Sequence, residues 1–383
     1  MQPTSYENPL RRSLAVPDDP ASPMSLHRRL PGYERTPLRS APGLADELGV
    51  ASVLVKDEAS RLGLPAFKML GASWACYRAL VDRSGTEPDL PVPWKDVAEL
   101  AERFATLAPL TLATATDGNH GRAVARFARL LGFSASIWVP AGTVEARIAA
   151  IEGEGAVVTV VDGGYDDAVR ASAAAADDRT LVVSDTSWPG YEVVPQWVVD
   201  GYATIFDEID EQLAEQAAPV PDVILVPVGV GAFAAAVVTH HRRPGRPSPV
   251  IVGVEPVDAA CVQASARAGE LVTLEGEQSS IMAGLNCGTP SPVVWPIVAA
   301  GVDWFVTVDD EQAREAMRRF ATAGIVSGES GAASLAGAAQ LRRDTGQQVL
   351  RPDATVLLLS TEGATDPVAY EAIVGRRSEA VGA

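Results

Sequence analysis

Short, continuously apolar segments that alternate with helical stretches are the feature that most limits the folds open to this chain. The clearest are VILVPV at 223–228, VIVGV at 250–254 and TVLLL at 355–359, and the pattern begins with VLVK at 53–56. A strand that is apolar on both faces must be covered on both faces, which is typical of parallel sheets flanked by helices. The pattern predicts an α/β protein, and the number of strand–helix units predicts two domains, each with a mostly parallel twisted sheet.

Segments outside these strands lead to further expectations. Residues 1–43 are rich in Pro, Ser and Arg and predict an extended arm, whereas residues 156–161 (AVVTVV) predict another buried strand. Residues 197–213 have the apolar spacing of one long amphipathic helix. His240 and His241 are adjacent, so they lack the helical spacing of two ligands to one metal ion, and we expect both to be exposed.

The composition argues against several classes of protein. A formal net charge of −18 disfavours nucleic-acid binding, because a phosphate backbone attracts basic surfaces. No uncharged apolar run approaches the roughly 18 residues of a membrane span, and the N-terminus lacks a signal-peptide core. The three cysteines are isolated, as expected of buried, reduced residues in a cytoplasmic protein, and no metal-ligand cluster is present.

Lysine is rare in this chain, which makes each lysine informative. The 383 residues contain only Lys56, Lys68 and Lys95. Lys68 lies between a loop and a helix, in the apolar run FKML. Desolvation lowers the pKa of a lysine amine and makes it nucleophilic, a role that arginine cannot take. A solvated surface lysine and a reactive amine are both open at this point.

A run of polar residues, TATDGNHGR at 114–122, lies where a strand meets a helix. A helix N-cap would account for one such residue, since Asp and Asn both cap helices. It would not account for Asp117, Asn119 and His120 together. Because ligands in open α/β sheets bind at the carboxyl ends of strands, the run favours a binding site.

Residues 229–234 (GVGAFA) follow a strand and open a helix. Glycines let backbone N–H groups approach a phosphate, and the helix dipole stabilises the bound anion. The same residues match a dinucleotide-binding fingerprint, with Glu255 at about the spacing of a ribose-binding acid. A phosphate site, a dinucleotide site and a turn packed closely on its helix are all compatible with this segment.

Taken in order, these motifs resemble those of the fold-type II, tryptophan-synthase-like pyridoxal phosphate enzymes. The residues of these motifs are most similar to those of the diaminopropionate ammonia-lyase branch, and the matches span nearly the whole chain after residue 50. They are FKMLGAS (67–73), ATDGNHGR (115–122), DTSWPGY (185–191) with WVVDGYATIFDEI (197–209), IMAGLNCGTPSP (281–292), SGESGA (327–332) and STEGATDP (360–367). The lysine and glycine-loop motifs specify only the superfamily, whereas DGNHG, DTSWPGY and IMAGLNCG are more selective for the branch. The loop GVGAF has fewer glycines than a full glycine-rich version.

The resemblance implies pyridoxal 5′-phosphate as the cofactor and a role for particular residues. Lys68 would form the internal aldimine, and Asn119 would hydrogen-bond the phenolic oxygen. Ser360 or Thr361 would face the pyridine nitrogen. The residues that would cradle the phosphate are Gly229, Val230, Gly231, Ala232 and Phe233.

The resemblance also implies a reaction, the α,β-elimination of 2,3-diaminopropionate to pyruvate and ammonia by a carbon–nitrogen lyase. Asp117 would be the distinctive acid or base, and Asp185 would assist substrate binding or the second stereochemical route. Residues 1–70 with 191–383 would form a large cofactor-binding domain that carries the arm, and residues 71–190 a smaller inserted domain. By the same analogy the chain would act on a small amino acid as a cytoplasmic homodimer, without a metal.

Two other functions remain as alternatives. A serine/threonine dehydratase or another β-eliminating or β-replacing enzyme would share Lys68, Asn119 and the phosphate loop, but would have less need of Asp117. A nucleotide-binding oxidoreductase would use residues 229–234 and Glu255, and would leave Lys68 unexplained.

Overall fold

The computed structural model describes residues 4–14, 16, 22–86, 91–116 and 118–381. Its strands are β1 (Ser5–Glu7), β2 (Leu38–Ser40), β3 (Ser52–Asp57), β4 (Thr111–Ala115), β5 (Ser134–Pro140), β6 (Val157–Val161), β7 (Thr180–Val182), β8 (Val223–Pro227), β9 (Val250–Pro256), β10 (Trp304–Val308) and β11 (Thr355–Ser360). Its α-helices are α1 (Met24–His27), α2 (Pro42–Leu48), α3 (Lys68–Ser84), α4 (Val97–Phe104), α5 (Asn119–Leu131), α6 (Glu145–Glu152), α7 (Tyr165–Ala174), α8 (Val193–Gly201), α9 (Ala203–Glu215), α10 (Ala232–His241), α11 (Cys261–Ala268), α12 (Trp295–Gly301), α13 (Asp310–Thr322), α14 (Glu329–Thr345) and α15 (Pro367–Val374).

The chain divides into two compact units. The larger unit contains residues 1–18, 35–60 and 205–383, and the smaller unit contains residues 19–34 and 61–204. The boundaries expected at residues 70 and 190 therefore lie inside the smaller unit. Residues 193–201 group with it because α8 packs along α3.

The larger unit is built on a seven-stranded sheet in the order β1-β10-β9-β8-β11-β3-β2. The five inner strands are parallel, and the edge strands β1 and β2 pair antiparallel. All residues of β8 and β11 are buried, as continuously apolar strands require. The helices α13 and α14 supply core residues such as Phe320 and Leu335. The predicted parallel α/β architecture is confirmed.

The smaller unit has a four-stranded parallel sheet in the order β6-β5-β4-β7. Its core includes Leu112, Phe127 and Ile137, each fully buried. The prediction that 156–161 is a buried strand is wrong in its burial, since Val157 and Val160 are 68% and 55% exposed. The reason is position, because β6 is an edge strand that pairs with β5 alone. Among the described residues, no helix combines the length and the apolar character needed to cross a bilayer.

Two glycines allow α3 and α8 to pack unusually closely. A Cβ atom on Gly71 would lie 2.6 Å from the ring of Tyr202, and one on Gly201 would lie 2.7 Å from the carbonyl oxygen of Leu70. The predicted single helix over 197–213 is wrong, because the chain forms α8 and α9 with a break at Tyr202. The break follows this close contact and leaves the Tyr202 side chain beside the start of α3.

Two other expectations need correction. The segment 1–43 is not simply an extended arm, since its described part forms β1, α1, β2 and the start of α2. His240 and His241 are 2% and 8% exposed, not solvated. Both rings pack against Phe206, with centroids 5.2 and 6.0 Å from its ring, because α10 is buried along its length. Burial lowers the pKa of His241 to about 3, so that ring is neutral.

Candidate active site

Lys68 is the first residue of α3 and follows a loop that begins after β3. Its side chain is 18% exposed, and its amine lies 5.6 Å from the centre of the Phe67 ring. The Phe67 ring packs in turn on Tyr202, with 4.8 Å between centroids. The apolar setting predicted from FKML is present, and the amine is neither sealed off nor freely solvated.

The carboxylate of Asp185 lies next to this amine. Lys68 Nζ donates to Asp185 Oδ2 at 2.7 Å, and the Tyr165 hydroxyl donates to Asp185 Oδ1 at 2.9 Å. Asp185 is 7% exposed. The structure therefore brings together two residues that are 117 positions apart in the sequence.

The charges in this cluster determine which protons are bound. Burial by itself would raise the pKa of Asp185, but the charge of Lys68, followed by that of His120 and the hydrogen bonds from Lys68 and Tyr165, holds the pKa well below its usual range. Burial raises the pKa of Tyr202 to about 12 against the opposing charge of Lys68. Burial also lowers the pKa of His120. At neutral pH the cluster therefore contains an ionised carboxylate beside neutral tyrosine and histidine rings.

A compact turn fixes the position of Asp185. The Tyr191 hydroxyl donates to the carbonyl oxygen of Val182 at 2.8 Å and accepts from the Ser184 N–H at 3.1 Å. Trp188 stacks on Tyr191, with ring centroids 4.1 Å apart. The aromatic residues of DTSWPGY thus hold the turn that carries the acid.

A second turn of the smaller unit leads into α5. Thr116 Oγ1 accepts hydrogen bonds from the N–H groups of Gly118 and Gly121 at 2.9 and 3.0 Å. Asn119 is the first residue of α5 and is half-buried. His120 Nε2 lies 2.8 Å from the carbonyl oxygen of Val183, on the strand end that leads to Asp185. Asp117 lies outside the described residues, so its predicted role stays a prediction.

In the larger unit, residues 229–233 form the turn between β8 and α10. Gly231 is the N-cap of α10 and has a φ of 98°, a left-handed conformation that favours glycine. Gly231 has no side chain that could cap the first turn of α10. Backbone N–H groups at an uncapped helix N-terminus are suited to an oxyanion, so the turn fits the phosphate of the expected cofactor.

Ser360 is the last residue of β11, the strand that pairs in parallel with β8, and Thr361 follows it. The ends of these two strands therefore lie at the same edge of the larger unit's sheet. Ser360 is fully buried, and its hydroxyl lies 2.8 Å from that of Ser327. A neutral hydroxyl pair at this edge fits a pyridine nitrogen that is not held by a carboxylate.

Glu255 has a structural role in this chain. Its two carboxyl oxygens accept the N–H groups of Val262 and Gln263, both at 2.8 Å, at the start of α11. A ribose-binding acid would need those oxygens for its ligand, so the contacts count against the dinucleotide interpretation of residues 229–234. Across the described residues, no group of three His, Cys, Asp or Glu side chains could hold a metal ion.

Sequence reasoning missed two residues of the cluster, Tyr165 and Tyr202. Tyr165 begins α7, shortly after the carboxyl end of β6, so the strand-end rule that selected the run at 114–122 would also have selected it. Tyr202 lies between two helices, and no sequence signal distinguishes it from a core aromatic residue. Its place beside Lys68 depends on the approach of α8 to α3.

Comparison with known proteins agrees with this geometry. Residues 29–362 match the family model described as "Pyridoxal-phosphate dependent enzyme". The diaminopropionate ammonia-lyase of Salmonella typhimurium is 37% identical over 368 residues, which cover 92% of this chain and 90% of the relative.

Solved structures of the Escherichia coli diaminopropionate ammonia-lyase are also similar. The complex with D-serine has a TM-score of 0.87 at 35% identity and covers 97% of both chains. The complex with an aminoacrylate-PLP azomethine reaction intermediate has a TM-score of 0.85, again at 35% identity and 97% coverage of both chains. The chain therefore belongs to the pyridoxal-phosphate dependent enzymes and, among them, to the diaminopropionate ammonia-lyase family.

Proposed function

We propose that this chain is an ammonia-lyase that converts 2,3-diaminopropionate to pyruvate and ammonia by α,β-elimination. The observation that carries the proposal is the Lys68 amine, partly exposed and 2.7 Å from the ionised carboxylate of Asp185. An amine in apolar surroundings beside one acid is suited to covalent and proton-transfer chemistry on an amino acid. Family membership makes pyridoxal phosphate the cofactor of that chemistry.

The proposed contacts to the cofactor are those that the sequence motifs imply. Lys68 would hold its aldehyde carbon, and Asn119 would donate to its phenolic oxygen. Ser360 or Thr361 would donate to the pyridine nitrogen. The N–H groups of residues 229–233 would hold its phosphate, for which the uncapped start of α10 is suited. When bound, pyridoxal phosphate supplies the electron sink for the charge that develops at the substrate Cα.

Three side chains of the smaller unit would handle substrate and protons. Lys68 Nζ would remove the Cα proton on the face that it reaches, and Asp117 on the other face. Asp185 is ionised, because the charge of Lys68 outweighs the effect of burial and keeps its pKa low, so it is suited to binding the substrate's ammonium group. A β-amino group leaves readily only when it is protonated, so this carboxylate would also keep the leaving group in its charged form.

The surroundings of the chain are also part of the proposal. The substrate would be a small amino acid, and the active form a homodimer in the cytoplasm. The three cysteines are free and buried, which suits a reducing compartment. Sedimentation velocity of the purified enzyme would measure the oligomeric state.

Steady-state turnover of 2,3-diaminopropionate, compared with serine and threonine, tests the proposed reaction. We expect kcat/KM for at least one isomer of diaminopropionate to exceed that for serine by about a hundredfold or more, since hydroxyl loss makes no use of a site for the β-ammonium group. A preference for serine or threonine would instead assign the chain to the dehydratases. Both isomers need to be assayed, because Lys68 and Asp117 would serve opposite faces.

A further inference from the structure

A buried histidine near the N-terminus reaches the helix that carries the reactive amine. His27 is the last residue of α1 and is fully buried, as are Leu70 and Thr204 beside it. Its Nε2 lies 3.0 Å from Leu70 O in α3, and its Nδ1 lies 2.7 Å from Thr204 Oγ1. All three residues belong to the smaller unit. The imidazole ring therefore bridges the first turn of α3 and the segment that follows the break at Tyr202.

The two partners determine how the ring is used. A carbonyl oxygen accepts hydrogen bonds and cannot donate them, so Nε2 carries a proton and donates to Leu70 O. Nδ1 of a neutral ring then accepts from the Thr204 hydroxyl. A buried polar ring costs free energy unless its nitrogens are paired, and an apolar side chain could fill the same space without that cost. The ring is therefore suited to hold its two partners, and not only to fill volume.

The Leu70 carbonyl lies where α3 is held against α8. A Cβ atom on Gly201 would be 2.7 Å from this oxygen, and Leu70 is two residues after Lys68, the first residue of α3. The N-cap residue of α3 is Phe67, whose side chain cannot accept a hydrogen bond. The first turn of α3 therefore depends on contacts with other elements, and the bond from His27 is a directional one among them.

We propose that His27 is a positioning residue, which holds the first turn of α3 through Leu70 O and so sets the approach of the Lys68 amine to Asp185. The inference rests on the role proposed for Lys68 and extends it to a residue that acts through the helix backbone. Asp185 has its own support in the 185–191 turn, where the Tyr191 hydroxyl donates to Val182 O. A shift of α3 would therefore move the amine while the carboxylate stays in place, and misplacement by about 1 Å can lower a rate by about a hundredfold.

Two substitutions separate the hydrogen bonds of the ring. The amide nitrogen of a glutamine lies near the position of Nε2, whereas the amide of an asparagine lies near the position of Nδ1. His27→Gln can therefore keep the bond to Leu70 O, and His27→Asn removes it while keeping a polar partner for Thr204. We expect kcat to fall by at least about tenfold in His27→Asn and by less than about threefold in His27→Gln. KM for diaminopropionate should change by less than about threefold in both, since Asp185 stays in place.

Amine labelling measures Lys68 directly and does not depend on turnover. The full chain, freed of its cofactor, is treated with a trace of acetic anhydride at several pH values, and peptide mass spectrometry gives the acetylation rate of each lysine. In His27→Asn we expect Lys68 to be acetylated at least about threefold faster than in the wild type, because its amine is hydrogen-bonded to Asp185 for less of the time. In His27→Gln it should react as in the wild type. Lys95, which is 84% exposed, is the internal reference.

Control variants separate positioning from loss of stability. His241→Asn shortens another buried histidine, the last residue of α10 in the larger unit. It should lower the urea midpoint without changing kcat or the acetylation of Lys68. If His27→Asn folds poorly, Thr204→Val makes the same test, since valine keeps the shape of threonine without the hydroxyl that holds Nδ1. Thr204→Val should speed the acetylation of Lys68, and Thr204→Ser, which keeps the hydroxyl, should not.

The possible outcomes are distinct. Equal kcat and equal Lys68 acetylation in His27→Asn and His27→Gln would overturn the proposal, because the bond to Leu70 O would then have no effect on the amine. An equal loss of kcat in His241→Asn would also overturn it, since any loss of stability would then have the same effect. Failure of the proposed function has a different signature, because borohydride reduction of the wild-type holoenzyme would then leave no cofactor on Lys68, whatever the His27 variants show.

Discussion

Two of the three lysines lie beside carboxylates at nearly the same distance, yet their environments differ. Lys56, in the larger unit, is fully buried and donates to Thr36 O, Glu208 Oε2 and Gln212 Oε1 at 2.8–2.9 Å. Lys68, in the smaller unit, lies 2.7 Å from Asp185 and keeps 18% of its side chain exposed. An ammonium group has three N–H donors, and for Lys56 each has an acceptor in the protein.

The difference shows what separates a structural amine from a reactive one. Three fixed acceptors hold Lys56 as a charged ammonium that no ligand can reach. Lys68 donates to Asp185 and keeps 18% of its side chain exposed, so its amine can exchange a proton and bind a carbonyl carbon. An ion pair alone does not indicate reactivity. Whether fixed acceptors already occupy the N–H donors, and whether a ligand can reach the amine, decide whether a lysine is reactive.

The largest expected effect is on turnover by Lys68→Ala. We expect kcat to fall by at least about 10³-fold, since the variant lacks both the covalent anchor and a proton acceptor. Borohydride reduction followed by peptide mass spectrometry should find the cofactor on residue 68 in the wild type and on no residue in the variant. Lys95→Ala is the control, because Lys95 is 84% exposed and pairs with Glu99 on the surface. Cofactor found on Lys56 or Lys95 after reduction would contradict the distinction between the reactive lysine and the other two.

The converse experiment removes the structural amine. Lys56→Met leaves the Glu208 carboxylate buried without its cation, so we expect the free energy of unfolding to fall by about 3–5 kcal/mol. Urea unfolding measures this change. The double variant Lys56→Met/Glu208→Met should recover most of the loss. Equal destabilisation by Lys68→Ala and Lys56→Met would show that donor saturation does not distinguish the two sites.

Asp185→Asn tests the carboxylate that lies beside the reactive lysine, Lys68. The variant keeps the shape of the side chain but not its charge, so we expect kcat/KM for diaminopropionate to fall by about a hundredfold while the covalent cofactor remains. Tyr165→Phe removes the hydrogen bond to Asp185 Oδ1 and should cost less than about tenfold. A larger loss from Tyr165→Phe than from Asp185→Asn would assign the main role to the hydroxyl.

The smallest effect concerns Glu255, a buried carboxyl group that has no paired cation among the described residues. Burial raises its pKa to about 8 against the hydrogen bonds from Val262 and Gln263. A raised pKa means that the stability from the protonated group is complete below the unfolded value of about 4.3 and is lost as the pH rises through 8. Glu255→Gln should therefore stabilise the protein by about 1–2 kcal/mol at pH 8 relative to pH 5. Urea midpoints at both pH values check this, and a uniform loss of stability would show that the two N–H groups require a charged acceptor.

The sheets were largely predictable because their strands are apolar on both faces, a local property that β8, β9 and β11 show clearly. Exposure was less predictable. Val157 and Val160 have the same local pattern, but β6 is an edge strand, and strand order is a long-range property. His240 and His241 were misjudged for a similar reason, since Phe206 from α9 packs against these polar rings at the end of α10.

The candidate site was predictable where a rule links residue type to position. Lysine scarcity pointed to Lys68, the strand-end rule pointed to the run at 114–122, and the family resemblance pointed to Asp185. Their 2.7 Å contact was not predictable, because it depends on how the 185–191 turn returns to the start of α3. Tyr202 could not be found from sequence, since it reaches Lys68 through the packing of Gly71 and Gly201.

That glycine contact has a consequence for how the enzyme can change over evolution. Lys68 is less than one helical turn from Gly71, so a methyl group on either glycine would push α3 away and take the amine with it. New substrates cannot be accommodated by altering the contact between α3 and α8 at Gly71 and Gly201. Adaptation is instead directed to side chains around the amine, which can be exchanged while the helix that carries the amine stays in place.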